Sequence, residues 1–118
     1  IFRRITTMTK VKFISKEQLL EMLENKEDFK LIEVLDRASY EQGHIPFAIS
    51  IPASELEVQA QQILLDRNQT IVTYCSGFLC HASTGAVRSL QKMGYRNVLD
   101  YKGGKEDWLK AELPLVKN

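Results

Sequence analysis

The stretch Thr70-Ile71-Val72-Thr73-Tyr74-Cys75-Ser76-Gly77-Phe78-Leu79-Cys80-His81-Ala82-Ser83-Thr84 is the part of the chain best suited to covalent chemistry. A β-branched run ends at a cysteine, a compact loop follows, and a helix then begins. That order sets one thiol at the floor of a cradle of backbone N–H groups, facing the positive end of a helix. Both features favour the thiolate, which is the form that attacks. Cys75 is therefore the expected nucleophile; a buried structural thiol is the competing reading. The loop residues Ser76, Gly77, Phe78, Leu79, Cys80 and His81 are the candidate substrate-binding set. Their N–H groups can hold an anion without any charged side chain. Gly77 is expected where a Cβ would interfere with the bend.

Several loop residues admit two uses. Cys80 is either a small packed hydrophobe, a loop filler, or a thiol that closes on an oxidised Cys75 as a disulfide. His81 either helps to bind an anion or serves as a cap or an exposed side chain at the helix entry. Phe78 and Leu79 are either lips packed on a neighbouring loop or an apolar rim to the loop. Arg37 and Arg88 can lend positive charge from outside the loop or lie solvated on the surface. His44, beside Ile45-Pro46, reads as a structural hydrogen-bonding residue, and Trp108, Leu113 and Leu115 as packing residues.

The elements that must hold this loop alternate in type. Val11 to Ile14 reads as a short strand. Ser15-Lys16-Glu17-Gln18 fits a capping box that opens a helix carrying Leu19, Leu20, Met22 and Leu23. Leu31 to Leu35 is a second strand, with Asp36 the cap of a short helix around Ala38 to Glu41 and Gly43 its stop. His44-Ile45-Pro46 is extended, because a residue before proline is pushed out of the helical region. Ala48 to Ile51 is a strand, and Glu55 to Leu65 has helical spacing at Leu56, Ala60, Ile63 and Leu64. After the strand ending at Cys75, Ala82, Ala86, Leu90 and Met93 mark a helix closed by Gly94. Asn97 to Tyr101 is a last strand, Gly103-Gly104 a turn, and Lys105 to Ala111 a last helix. Such alternation implies a mainly parallel sheet of about five strands with helices on both faces, an α/β fold. Ligands bind beyond the carboxyl ends of strands in these sheets, and Cys75 sits at such an end.

The totals fit one domain of 118 residues, with 44% hydrophobic and 26% charged residues. Sixteen basic residues against fifteen acidic leave a formal net charge of +1. That balance gives no electrostatic case for nucleic acid or an anionic membrane as partner. Residues 1–10 hold Arg3-Arg4 but no apolar run of a signal peptide, and are expected to be a flexible N-terminal segment before a domain at 11–118. No stretch is long and apolar enough to cross a bilayer. Two cysteines five positions apart do not make a secreted disulfide scaffold, and neither His44 nor His81 completes a metal site with them. A cytoplasmic setting with no metal and no cofactor is expected.

Taken together, Leu31-Ile32-Glu33-Val34, Tyr40, Gly43-His44-Ile45-Pro46-Phe47-Ala48-Ile49-Ser50-Ile51-Pro52, the Cys75 loop, Gly94-Tyr95-Arg96-Asn97-Val98 and Gly103-Gly104-Lys105-Glu106-Asp107-Trp108 resemble a single-domain rhodanese. The resemblance runs from about Phe13 to Val116. It implies a sulfurtransferase in which Cys75 takes a sulfane sulfur from a donor (thiosulfate, persulfide or polysulfide), holds it as a persulfide, and passes it to a thiol or cyanide-type acceptor. Under that resemblance Cys80 can also relay sulfur. Three positions depart from the family pattern. Glu33 stands where aspartate is commoner, Phe47 where glycine usually follows Gly-His-Ile-Pro, and the loop lacks the arginine or lysine common in members active on thiosulfate. Thiosulfate is accordingly expected to be a poor donor.

Two other classes compete. A phosphatase or arsenate reductase of related design needs an arginine six positions after the cysteine to grip an oxyanion, and His81 stands there. The alternative from another class is a non-catalytic binding or redox-sensing module using Cys75 and Cys80.

Overall fold

The computed structural model describes residues 10–117, so the expected flexible segment falls almost wholly outside the described residues. Strands β1 (Lys12–Phe13), β2 (Phe29–Glu33), β3 (Ile49–Ser50), β4 (Thr70–Tyr74) and β5 (Asn97–Tyr101) form one sheet in the order β1-β5-β4-β2-β3. Every pairing is parallel. Helices α1 (Lys16–Glu24), α2 (Arg37–Gln42), α3 (Leu56–Ile63) and α4 (Ala82–Lys92) connect successive strands, and α5 (Gly104–Lys110) follows β5. The expected α/β class holds, and β4 is the central strand.

Alternation along the strands feeds two separate cores. Ile32, Ile71 and Val98 point to one face, where Leu56 and Ala60 of α3 and Ala86, Val87 and Leu90 of α4 cover them. Leu31, Val72, Tyr74 and Tyr101 point to the other, under Leu19 of α1 and Trp108 of α5. Strands buried on both faces need apolar residues at nearly every position, as Leu31-Ile32 and Ile71-Val72 supply. Leu113 and Leu115 pack on the second core as expected.

The start signals work as read. Ser15 Oγ accepts from the Gln18 N–H at 3.1 Å, and Gln18 Oε1 accepts from the Ser15 N–H at 2.8 Å. Asp36 Oδ1 caps α2 through the Ser39 N–H at 2.8 Å. The ends of elements differ more. Strand β2 lies two residues earlier than the apolar run Leu31 to Leu35, because its register with β4 runs from Phe29 opposite Thr70 to Glu33 opposite Tyr74. Beyond Glu33 the chain already turns toward the Asp36 cap. Helix α3 follows a 3-10 turn at Ala53–Glu55 and stops at Ile63. There the Tyr95 hydroxyl lies 2.6 Å from the Leu64 carbonyl, which no further helical turn serves, and 3.1 Å from the Ala60 carbonyl, which already accepts from the Leu64 N–H at 2.8 Å.

Phe47 is exposed and has φ of +72°, a left-handed backbone that costs a bulky residue energy and glycine almost none. The glycine usual at this position in the resemblance thus has a conformational reason, and this chain keeps the turn without it.

Candidate active site

Cys75 is the first residue past the central strand, and it is 1% exposed. Three backbone contacts fix the chain beyond it. The Cys75 carbonyl accepts from the Lys105 N–H at 3.1 Å, the Ser76 carbonyl from the Glu106 N–H at 2.8 Å, and the Gly77 carbonyl from the Cys80 N–H at 3.0 Å. In a trans peptide the carbonyl and the next N–H point to opposite sides. With the first two carbonyls turned toward the start of α5, the Ser76 and Gly77 N–H groups turn away from it. The cradle is therefore narrower than the run Ser76 to His81 suggested, since the Cys80 N–H is spent inside the loop.

Gly104 makes this arrangement possible. Its φ is +62°, and a Cβ there would lie 2.4 Å from the Cys75 carbonyl oxygen and 2.9 Å from the Gly77 nitrogen. No side chain fits between α5 and the loop. Gly77 has no left-handed φ; a Cβ on it would stand 3.2 Å from Glu106 Cβ and 2.9 Å from Glu106 Oε1, so the exposed Glu106 side chain would have to shift to admit it.

Behind the loop, on the other face of the sheet, a charged cluster is buried. Glu33 is fully buried; its Oε1 accepts from the Tyr74 hydroxyl at 2.8 Å, and its Oε2 lies 3.0 Å from Lys105 Nζ as an ion pair. Lys105 Nζ also donates to the Ser39 carbonyl at 2.8 Å, and the Tyr74 hydroxyl accepts from the Ile45 N–H at 3.0 Å. Burial, reinforced by the Glu33 charge, pushes the Tyr74 phenol far above its ordinary value, so it stays a neutral donor. The cluster ties β2, the Ile45 segment and α5 to the residue immediately before Cys75.

The remaining candidates fall as follows. Cys80 is half-buried against the first core and is joined to Cys75 as a disulfide, so neither cysteine is a free thiol in this state. The Cα atoms are 6.5 Å apart, a separation that a disulfide bridges without moving the backbone. Ser76 and His81 are exposed; His81 occupies the cap position of α4, but its side chain makes no capping bond. Phe78 is 56% and Leu79 93% exposed, so Leu79 is not a packed lip. Phe78 borders a groove of about 470 Å³ with Phe13, Ile14, Lys16, Tyr101 and Lys102. Arg37 pairs with Glu55 at 2.7 Å. His44 stacks on Tyr40 with ring centroids 3.8 Å apart, and its Nδ1 lies 3.0 Å from the Tyr40 carbonyl, in keeping with a structural role.

Lys102 is the residue that sequence reasoning missed. It leaves the end of β5 and donates its ammonium to the Cys80 carbonyl, so a cation touches the loop although none lies within it. Nothing in the spacing of Lys102 from Cys80 signals this; it follows from the pairing of β4 with β5, which sets Tyr74 beside Tyr101.

A cysteine on a tight loop leaving the central strand of a parallel sheet, with a helix directly after it, defines an α/β domain with a cysteine-bearing loop at the carboxyl end of its sheet. The rhodanese-like domain family matches residues 15–111, and the chain belongs to that family. It is 32% identical over 103 residues to a sulfurtransferase of Allochromatium vinosum, covering 87% of this chain and 92% of that protein. It is 36% identical over 102 residues to an HTH-type transcriptional regulator of Mycobacterium tuberculosis, covering 86% of this chain but only 43% of the regulator. The human single-domain sulfurtransferase superposes with a TM-score of 0.74 at 25% identity, covering 86% of this chain and 97% of that one. No helix among the described residues is long and apolar enough to cross a membrane.

Proposed function

We propose that the domain is a sulfurtransferase in which the reduced Cys75 thiolate attacks the outer sulfur of a donor. The donor's sulfur–sulfur bond breaks, its remainder leaves as an anion, and Cys75 holds the sulfur as a persulfide. A thiol or cyanide then attacks that outer sulfur and returns the thiolate. The observation that carries this reading is Cys75 at the end of β4, with the neighbouring carbonyls held by α5 and the Ser76 and Gly77 N–H groups turned the other way. Free N–H groups and the start of α4 both favour an anionic sulfur. The sulfurtransferase relative, which this chain covers almost completely, supports the same chemistry.

The donor is a persulfide or polysulfide, and thiosulfate is a poor one. Phe78 and Leu79 make the rim apolar, and the nearby Lys102 ammonium is engaged by the Cys80 carbonyl. The acceptor is a thiol, in a compartment reducing enough to keep Cys75 open. A donor panel tests this: thiosulfate, mercaptopyruvate, glutathione persulfide and polysulfide, each with cyanide as acceptor and thiocyanate as readout. Glutathione persulfide or polysulfide should exceed thiosulfate by at least about tenfold in kcat/KM, some 1.4 kcal/mol in the barrier. Equal or better turnover with thiosulfate would overturn the donor assignment.

The Cys75–Cys80 disulfide favours a second reading, an oxidant-sensing module, and the match to part of a regulator is compatible with it. That reading expects the disulfide to form under peroxide while sulfur donors leave no adduct.

A further inference from the structure

Cys80 is close enough to Cys75 to serve as the acceptor itself. We propose that the domain also reduces sulfane sulfur to sulfide, with Cys80 as the internal attacking thiol; this rests on the persulfide reading above. The structure joins the two Sγ atoms, so Cys80 reaches the sulfur of Cys75 that becomes the inner atom of a persulfide. The backbone around Cys80 is held at both its polar groups, the N–H by the Gly77 carbonyl at 3.0 Å and the carbonyl by Lys102 Nζ. Neither bond involves a sulfur atom, so both can hold Cys80 near Cys75 when the disulfide is open. A partly buried thiol held in this way meets its target without the entropy loss of an external one.

The step balances within the chain. Cys80 thiolate attacks Cys75 Sγ, a bond forms between the two cysteine sulfurs, and the bond from Cys75 Sγ to the outer sulfur breaks. The outer sulfur leaves as hydrosulfide with its electron pair and is reduced, the Cys80 sulfur is oxidised, and the Cys75 sulfur stays at the disulfide level it reached on taking up the sulfur. Displacement at sulfur is in line, so the outer sulfur must lie opposite Cys80. Attack on the outer sulfur would instead move the persulfide to Cys80 and release nothing. A Cys75–Cys80 disulfide, the bond seen here, is what the first route leaves. Reopening it takes an external dithiol reductant, which exchanges through a mixed disulfide and leaves both cysteines reduced.

The test uses the full chain, reduced, freed of reductant and kept under argon, then mixed with one equivalent of glutathione persulfide. Attack on that donor's outer sulfur releases glutathione and no sulfide, whereas attack on its inner sulfur releases sulfide at once and leaves a glutathione mixed disulfide that the intact mass of the Cys80 variants reveals. Sulfide is trapped with a bimane reagent and the chain is weighed intact. The wild-type chain should lose two hydrogens and give about one sulfide per chain, the stoichiometry of thiol–disulfide exchange. The Cys80→Ser and Cys80→Ala variants should each keep one added sulfur and release sulfide more than about tenfold slower, as expected when an intramolecular thiol is removed. A wild-type chain that keeps the added sulfur, or variants that release sulfide as fast as wild type, would overturn the internal step and leave the transferase reading standing. No sulfur on either variant and no sulfide from wild type would overturn both.

Discussion

Two turns leave the carboxyl end of the sheet side by side and are built in opposite ways. The turn after β4, Cys75 to His81, carries both cysteines and exposes Phe78 and Leu79, and it contains no lysine or arginine. The turn after β5, Lys102 and Gly103 leading into α5, carries no nucleophile. It supplies the Lys102 ammonium, the Lys105 and Glu106 N–H groups and the bare Cα of Gly104, all of them against the first turn. Under the proposed function, reactivity and support are thus divided between neighbours. A loop whose carbonyls are held from outside can spend its own N–H groups on an anion. Mutations should therefore harm the two turns differently: stability through the second, sulfur chemistry through the first.

Lys105→Met should have the largest effect on stability. It leaves the fully buried Glu33 carboxylate without its cation, and breaking such a pair costs about 4 kcal/mol. Urea denaturation should show this, and adding Glu33→Gln should restore a good part of it, because the amide can still accept from Tyr74. A Lys105→Met chain of wild-type stability would mean that the second turn supports the first through its backbone alone. Gly104→Ala comes next. The left-handed φ and the contact with the Cys75 carbonyl together cost about 3 kcal/mol, and the loop should shift enough to slow sulfur uptake.

These supports explain what the sequence discloses and what it hides. Element types follow from local signals, such as the Ser15–Gln18 capping box, the Asp36 cap and the double-faced apolar runs in β2 and β4. Strand ends do not, because register across the sheet places β2 at Phe29–Glu33 although the apolar run continues to Leu35. Cys75 is legible because its strand, loop and helix are contiguous. The second turn is not, since Lys102 and Gly104 lie more than twenty residues further on and meet the loop only through the pairing of β4 with β5. Gly103-Gly104 reads as an ordinary turn, and only the 2.4 Å approach reveals why a glycine is required. Cys80 keeps several readings in the sequence, because five residues of separation do not say whether two thiols face each other.

Smaller effects sharpen the contrast. Phe47→Gly relieves a left-handed backbone at a third turn, away from both cysteines, and should raise stability by about 1 kcal/mol without altering sulfur uptake. Leu79→Ser should change stability by less than about 0.5 kcal/mol, since the side chain is 93% exposed. It should nevertheless slow uptake from glutathione persulfide several-fold while leaving uptake from thiosulfate unchanged. Equal slowing with both donors would show that Leu79 shapes the loop rather than receiving the donor.

The central claim is that Cys75 carries the sulfur, and locating the atom tests it most directly. The Cys80→Ser chain, which cannot close the disulfide, is reduced, treated with glutathione persulfide, alkylated and digested, and the peptide spanning Thr70 to His81 is fragmented. The account predicts one added sulfur on Cys75, absent when Cys75→Ser is introduced as well. A chain that takes up no sulfur, or one that keeps it after Cys75 is removed, would contradict the account.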